Sequence, residues 1–323
     1  MTANPSALDP AGPAAHAIAD LTWILIAVCG VVFLLTLGAF FLALRRGTRR
    51  AVTVAPMARI PPGHDRSRHW GIGVAAVLTG AVLSALVGVS FATDRRLIKL
   101  QRPAATEISV IAHQWWWEIR YDDPVASKSF VTANELHLPL NEPVKLSLTS
   151  PDVIHSFWVP NIVDKRDVIP GRGNLLWITA TKPGEWHGRC AEFCGLQHAH
   201  MDILAIVEPR ADFDRWRAGQ AEGAREPMTE AERRGQQVFD EGPCILCHVI
   251  RGTPATGYSG TAPDLTHLKS RKTIAAGTLP NTKGYLGGWV LDPQSHKPGA
   301  HMPLNLLAPD DFQDLLAYLE TLR

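Results

Sequence analysis

The chain has 323 residues and a formal net charge of +1, from 32 basic and 31 acidic side chains. That length allows two or three domains, and the near-balance of charge leaves no basic surplus for nucleic acid and no acidic tail. Ten Trp stand against four Tyr, and the five Cys include two close pairs, Cys190/Cys194 and Cys244/Cys247.

The segment 1–20 carries no Lys or Arg and leads into an uncharged run from Leu21 to Leu44; a second runs from Trp70 to Thr93. Each is 24 residues long. At 1.5 Å per residue that is about 36 Å of helix, enough to cross a hydrocarbon core of about 30 Å with some tilt. A cleaved signal peptide fits the first run poorly: its apolar core is too long, and Arg45 and Arg46 stand on the wrong side of it. Both are predicted to be retained spans (21–44 and 70–93, within a hairpin over 21–95). Cys29 inside the first is expected to act as a small buried hydrophobe. The link carries Arg45, Arg46, Arg49, Arg50, Arg59, Arg66 and Arg68 against Asp65, so it is expected to stay cytoplasmic and to leave both chain ends outside. Ala76, Gly80, Ser84 and Gly88 recur at four-residue intervals. Such a row suits close helix packing, and small residues are also simply common in membrane helices.

From residue 107 to 208 short apolar runs such as Ile108–Ile111, Val144–Leu148, Leu175–Thr179 and Ile203–Val207 alternate with Pro, Gly, Asn and Asp, the pattern of an antiparallel sandwich or barrel. Residues 209–227 read as a polar linker with a turn or two of helix near Phe213 and Trp216. From 228 to 323 the pattern turns helical. Thr229 and Glu232 form a capping box, and Pro309 opens a last helix with Phe312, Leu315, Leu316 and Leu319 on one face.

Two clusters carry chemistry. The first runs Cys190-Ala-Glu-Phe-Cys194-Gly-Leu-Gln-His198-Ala-His-Met201, with His155 supplied by Asp152-Val-Ile-His. Thiolate, imidazole and thioether together suit a soft, redox-active copper site, and a second thiolate can bridge two metal ions. A Cys190–Cys194 disulfide would leave His198 and Met201 unexplained, and a four-Cys zinc site would ignore both. The second cluster, Cys244-Ile-Leu-Cys247-His248, is the c-type haem attachment signature, and no βαβ pattern surrounds it to favour a thioredoxin-like pair. Met302 is the candidate sixth iron ligand, with His267, His296 and His301 as competitors.

The copper run resembles the CuA motif of cytochrome c oxidase subunit II. His113-Gln-Trp-Trp-Trp-Glu-Ile-Arg-Tyr121, Asp152–Pro160 and Lys165–Arg172 resemble further segments of that family, over roughly residues 15 to 218. The resemblance implies a two-helix transmembrane hairpin and a cupredoxin-like Greek-key β-barrel. In it His155 and His198 would each bind one copper and Cys190 and Cys194 would bridge them. Met201 and the Glu192 carbonyl would be the weak ligands, the Glu192 side chain would reach Mg at the boundary with subunit I, and Trp115 would be the exposed tryptophan that receives electrons. The C-terminal region resembles a class I, all-α cytochrome c domain, which favours Met302 and gives the Pro263 carbonyl a hydrogen bond from His248. Together these imply a multidomain membrane protein, the electron-accepting subunit of a caa-type haem–copper oxidase in a bacterial cytoplasmic membrane. It would partner subunit I, subunit III, membrane lipid and a donor such as cytochrome c. Electrons would pass from haem c to CuA and on to oxygen reduction coupled to proton translocation in subunit I. A quinol oxidase subunit lacks the copper ligands, nitrous oxide reductase lacks the hairpin, and a copper-delivery protein lacks the haem signature.

Overall fold

The computed structural model describes residues 5–48, 64–255 and 261–323. Two compact units emerge, one spanning residues 16–100 and the other joining residues up to 15 with 101–323.

The first unit holds nearly all of α1 (Pro13–Thr48) and all of α2 (His64–Lys99), each 36 residues and both long and apolar enough to cross a membrane. Each outruns its uncharged core. Pro13 sits in the first turn of α1, where its missing N–H costs no hydrogen bond, and Arg45 and Arg46 fall in the last turn, where cations face unsatisfied carbonyls. Trp23, Phe33, Val77 and Leu78 are all exposed within the chain, as expected of side chains whose solvent is lipid or a partner helix. Cys29 is likewise exposed rather than buried, because no other element among the described residues covers that face. Arg49, Arg50 and Arg59 of the link lie outside the described residues.

The second unit opens with a short N-terminal segment. The Ala11 amide donates to the Asn161 carbonyl at 2.5 Å, the Asn161 side-chain amide donates to the Asp9 carbonyl at 2.9 Å, and the Thr181 amide donates to the Ala11 carbonyl at 2.7 Å. The stretch before α1 is thereby stitched to the β-rich region.

That region contains ten strands: β1 (Thr106–His113), β2 (Trp116–Tyr121), β3 (Phe130–Ala133), β4 (Glu135–Pro139), β5 (Val144–Thr149), β6 (His155–Trp158), β7 (Arg166–Val168), β8 (Asn174–Ile178), β9 (Gly184–Cys190) and β10 (Asp202–Glu208). They form two five-stranded sheets, ordered β3-β2-β1-β5-β8 and β4-β10-β9-β6-β7. Period-two burial is clear in β5, where Val144, Leu146 and Leu148 are buried and Lys145 and Ser147 are not. The sandwich expected from the sequence is present, with one difference. Each sheet contains a parallel pair, β1 with β5 and β4 with β10, because strands distant in sequence return beside one another through Greek-key connections.

Beyond β10 the polar stretch is a full 12-residue helix, α3 (Arg210–Ala221). Phe213 is buried, and the Trp216 ring stacks on His137 with centroids 3.7 Å apart. These two aromatics anchor α3 on the sheet edge, which makes it longer and better docked than a linker with a turn or two. The C-terminal region has α4 (Glu230–Glu241), a two-stranded ribbon of β11 (Thr273–Ile274) and β12 (Leu279–Pro280), α5 (Lys283–Leu291), α6 (Pro293–His296) and α7 (Pro309–Leu319). The capping box of Thr229 and Glu232 starts α4. Phe239 of α4 packs into a core with Leu315, Leu316, Tyr318 and Leu319 of α7. The small ribbon is an addition to the all-α expectation.

Candidate metal and haem sites

The sulfur-rich cluster is assembled from the N-terminal end of β6, the C-terminal end of β9 and the loop that joins β9 to β10. His155 begins β6 and is fully buried. Cys190 ends β9, while Cys194, His198 and Met201 follow within one tight loop before β10. The two sulfurs lie 3.8 Å apart, too far for a disulfide. His155 Nδ1 is 3.8 Å from Cys190 Sγ, His198 Nδ1 is 3.7 Å from Cys194 Sγ, and Met201 Sδ is 3.9 Å from Cys194 Sγ. The Glu192 carbonyl oxygen is 3.3 Å from Cys190 Sγ, and the Glu192 side chain faces solvent. Two donor atoms each about 2.2 Å from one metal at a tetrahedral angle stand about 3.6 Å apart, so this spacing suits thiolate and imidazole around metal. The donor set fits soft metal and matches copper. Sharing one proton between the two sulfurs pulls the Cys190 thiol well below its ordinary range, against burial and helped by His155. A thiolate is therefore ready to ligate.

His155 presents its other ring nitrogen, Nε2, to Asp152 Oδ1 at 2.9 Å. Burial raises the Asp152 carboxyl, but hydrogen bonds from His155 and from the Val153 and Gln114 amides outweigh it and bring it to about 2. The carboxylate thus fixes the ring's orientation. Gly195, at φ +113°, lets the loop lie against Trp115: a Cβ there would sit 3.0 Å from the indole ring.

Trp115 is the hinge of the whole arrangement. Its indole N–H donates to the Cys194 carbonyl at 2.9 Å, and the Gln114 side-chain amide donates to the same oxygen at 2.8 Å. All of Trp115, Trp116 and Trp117 are buried. The expectation of an exposed Trp115 is corrected: its residual exposure is only 8%, because the C-terminal region covers it and His301 lies across the ring at 5.2 Å.

On the other side of Trp115 is a cavity of about 240 Å³. It is lined by Cys244, Cys247, His248, Pro263 and Met302, and also by Gln114 and Trp115. The His248 ring holds Nδ1 2.8 Å from the Pro263 carbonyl oxygen, which leaves Nε2 for a metal, and burial lowers its proton affinity. Of the three competing histidines, His301 lines the cavity beside Met302. His267 instead spends both ring nitrogens on the Arg323 and Glu222 carbonyls, at 2.7 and 3.1 Å. His296 is not among the lining residues. Arg271 also lines the cavity, is buried, and has an Nε without a hydrogen-bond partner among the described residues. An orphaned guanidinium N–H in an apolar cavity with two thiols and an imidazole fits a haem with its acidic propionates.

Sequence reasoning did not single out Gln114, Asp152, Arg271 or Lys297 for these sites. Asp152 alone carried a local signal, lying three residues before His155.

Residues 106–208 match the family described as cytochrome c oxidase subunit II, periplasmic domain, and residues 232–323 match cytochrome c. Cytochrome c oxidase subunit 2 of Alkalihalophilus pseudofirmus is 32% identical over 323 residues, covering 99% of this chain and 91% of that protein. The subunit 2 of Bacillus sp. (strain PS3) is 33% identical over 229 residues, 67% of this chain and 62% of its own length. Among solved structures, the periplasmic domain of subunit II of cytochrome oxidase of Bradyrhizobium japonicum is 31% identical, covering 37% of this chain and 95% of that one with a TM-score of 0.35.

Proposed function

Since the chain belongs to the cytochrome c oxidase subunit II family and carries a cytochrome c domain at its C-terminus, we propose that it relays electrons from a haem c to a binuclear CuA centre and on to subunit I. When bound, the haem and the copper pair supply the one-electron chemistry, and oxygen reduction with proton translocation belongs to subunit I. In this reading Cys244 and Cys247 attach the haem, His248 and Met302 ligate its iron, and Pro263 orients His248. Cys190 and Cys194 would be shared between the two coppers, His155 and His198 would hold one each, and Met201 and the Glu192 carbonyl would complete the set. The exposed Glu192 carboxylate is left for Mg at the boundary with subunit I.

One observation carries the proposal: Trp115 lines the haem-type cavity and also donates its indole N–H to the carbonyl of Cys194. With Gln114, which makes the same two contacts, it joins the two sites, so in this reading electrons arrive at the copper site from the protein's own haem domain and not from a soluble carrier docked on an open tryptophan. The soluble or membrane-bound donor, such as a cytochrome c, meets the haem domain instead. The stitched N-terminal segment supports the topology. Residues before α1 hydrogen-bond to the same region that follows α2, which fits an even number of crossings in a bacterial cytoplasmic membrane with both ends outside.

The test is spectroscopy on the complex purified from membranes. Covalent haem c, a CuA near-infrared band and a haem a signal from a co-purifying subunit are expected together. Haem c recovered without any haem a partner from intact membranes would refute the assignment.

A further inference from the structure

At the contact between the copper-type and haem-type domains two buried ionisable side chains bond across the boundary, and neither is in an ion pair among the described residues. Lys297, on the loop after α6, is 3% exposed. Its ammonium donates to the carbonyls of Trp115 at 3.2 Å, His200 at 2.8 Å and Ala275 at 3.2 Å. An ammonium has three donors, and all three are used, two of them across the domain boundary. Glu135 of β4 is also 3% exposed and answers from the other side. Its Oε1 accepts the Lys272 and Thr273 amides at 2.6 and 3.2 Å.

Between these two points the backbones touch. The Asp202 amide donates to the Ala276 carbonyl at 3.0 Å, and Ala276 packs with Trp116 and Ala133 in a small buried cluster. At Gly277 (φ +83°) a Cβ would lie 2.7 Å from Asp202 Cβ, so the approach needs glycine twice over, for its φ and for its missing side chain. The Gln197 side-chain amide closes the far end on the Pro298 carbonyl at 2.7 Å.

We propose that Lys297 and Glu135 are positioning residues that lock the haem domain onto the copper domain in one register, with the haem-type cavity held against Trp115. A buried polar group that loses its hydrogen-bond partners is costly, so each of the two tolerates only the arrangement that returns its hydrogen bonds. Lys297 acts at the most telling place. It holds the Trp115 carbonyl and the carbonyl of His200, the residue before Met201. The domain is therefore seated, and its reach does not depend on swinging about a tether.

The inference rests on the relay reading, and the test separates the two. In the intact, detergent-purified oxidase, the haem c-to-copper electron-transfer rate is measured after rapid reduction of haem c. The inter-centre distance distribution is read from magnetic relaxation between ferric haem and oxidised copper. Lys297→Met and Glu135→Ala should each slow transfer roughly tenfold or more and add a second, longer distance, the change expected when a charge-assisted hydrogen bond is lost. Both centres should keep their spectra and potentials. Glu135→Gln keeps an oxygen at the accepting position and, at pH 5, should retain the wild-type rate and single distance. Wild-type rate and distance in both Lys297→Met and Glu135→Ala would overturn the proposal, and so would Glu135→Gln behaving as Glu135→Ala. Failure of the wild-type complex to pass an electron between the two centres would refute the relay itself.

Discussion

Glu135 makes docking of the haem domain depend on pH, and its sign follows from burial. The carboxyl lies between the two domains and faces Arg271 and Lys272 of the haem domain; burial pushes it up to about 7, partly offset by the Lys272 and Thr273 amides and by those two cations. A carboxyl exposed by undocking returns to its ordinary value of 4.5. Between pH 4.5 and 7 the docked state holds a proton that the undocked state has released. Raising the pH through that window therefore weakens docking, and the loss levels off above pH 7. Each tenfold step in proton affinity is worth about 1.4 kcal/mol, so a carboxyl held at about 7 in place of 4.5 removes about 3 kcal/mol of docking free energy across the window. Glu135→Gln keeps an accepting oxygen, cannot ionise, and should abolish the slope. The assay is the inter-centre distance distribution of the intact oxidase from pH 5 to pH 8.5, with the undocked population growing in the wild type and staying flat in Glu135→Gln. A docked fraction that rises with pH, or a slope that survives in Glu135→Gln, would refute the reasoning.

Three further outcomes are expected. Cys194→Ser removes a bridging thiolate, so the near-infrared copper band should vanish and copper per chain should fall while covalent haem c persists, checked by absorbance and metal analysis. Met302→Leu leaves an apolar side chain at the haem-type cavity; the haem potential should drop and carbon monoxide should bind the reduced iron, read by redox titration and visible spectra. Gly277→Ala places a Cβ at φ +83° and 2.7 Å from Asp202 Cβ. It should loosen the domain contact by about 1–3 kcal/mol, seen as faster limited proteolysis between the domains with both chromophores intact.

What the sequence revealed depended on how locally each feature is encoded. The capping box of Thr229 and Glu232 lies within four residues, and its two reciprocal hydrogen bonds are present. Four of the five side chains in the sulfur cluster fall within 190–201, so their proximity follows from chain connectivity alone. The parallel pairing of β1 with β5 is a different matter, because register between distant strands is decided by the packing of both sheets. Burial of Trp115 was equally hidden: what covers it comes from about 180 residues further on, and its own strand context is silent about that cover. Lys297, between His296 and Pro298, reads as a surface lysine, since nothing in a short polar loop signals an ammonium with three carbonyls around it. Glu135 begins a strand whose five residues are all buried, so no alternation marks its carboxylate as facing another domain.

The chemistry chosen for the domain contact bears on what a relay needs. A large apolar face would hold two domains firmly, but it tolerates sliding, because burial is proportional to area and indifferent to direction. Here Trp116, Ala133 and Ala276 form a buried cluster at the contact, and direction comes from hydrogen bonds. Lys297 and Glu135 each meet neutral main-chain groups, whose positions are fixed by the strands and turns they belong to. A carboxylate partner on a flexible side chain could follow a shifted lysine; three carbonyls cannot. Displacement of the domains by a fraction of a hydrogen-bond length thus leaves a buried polar group short of partners on both sides at once. That is the property required where two redox centres must keep one separation, with a single tryptophan, Trp115, reaching from the cavity wall to the Cys194 carbonyl.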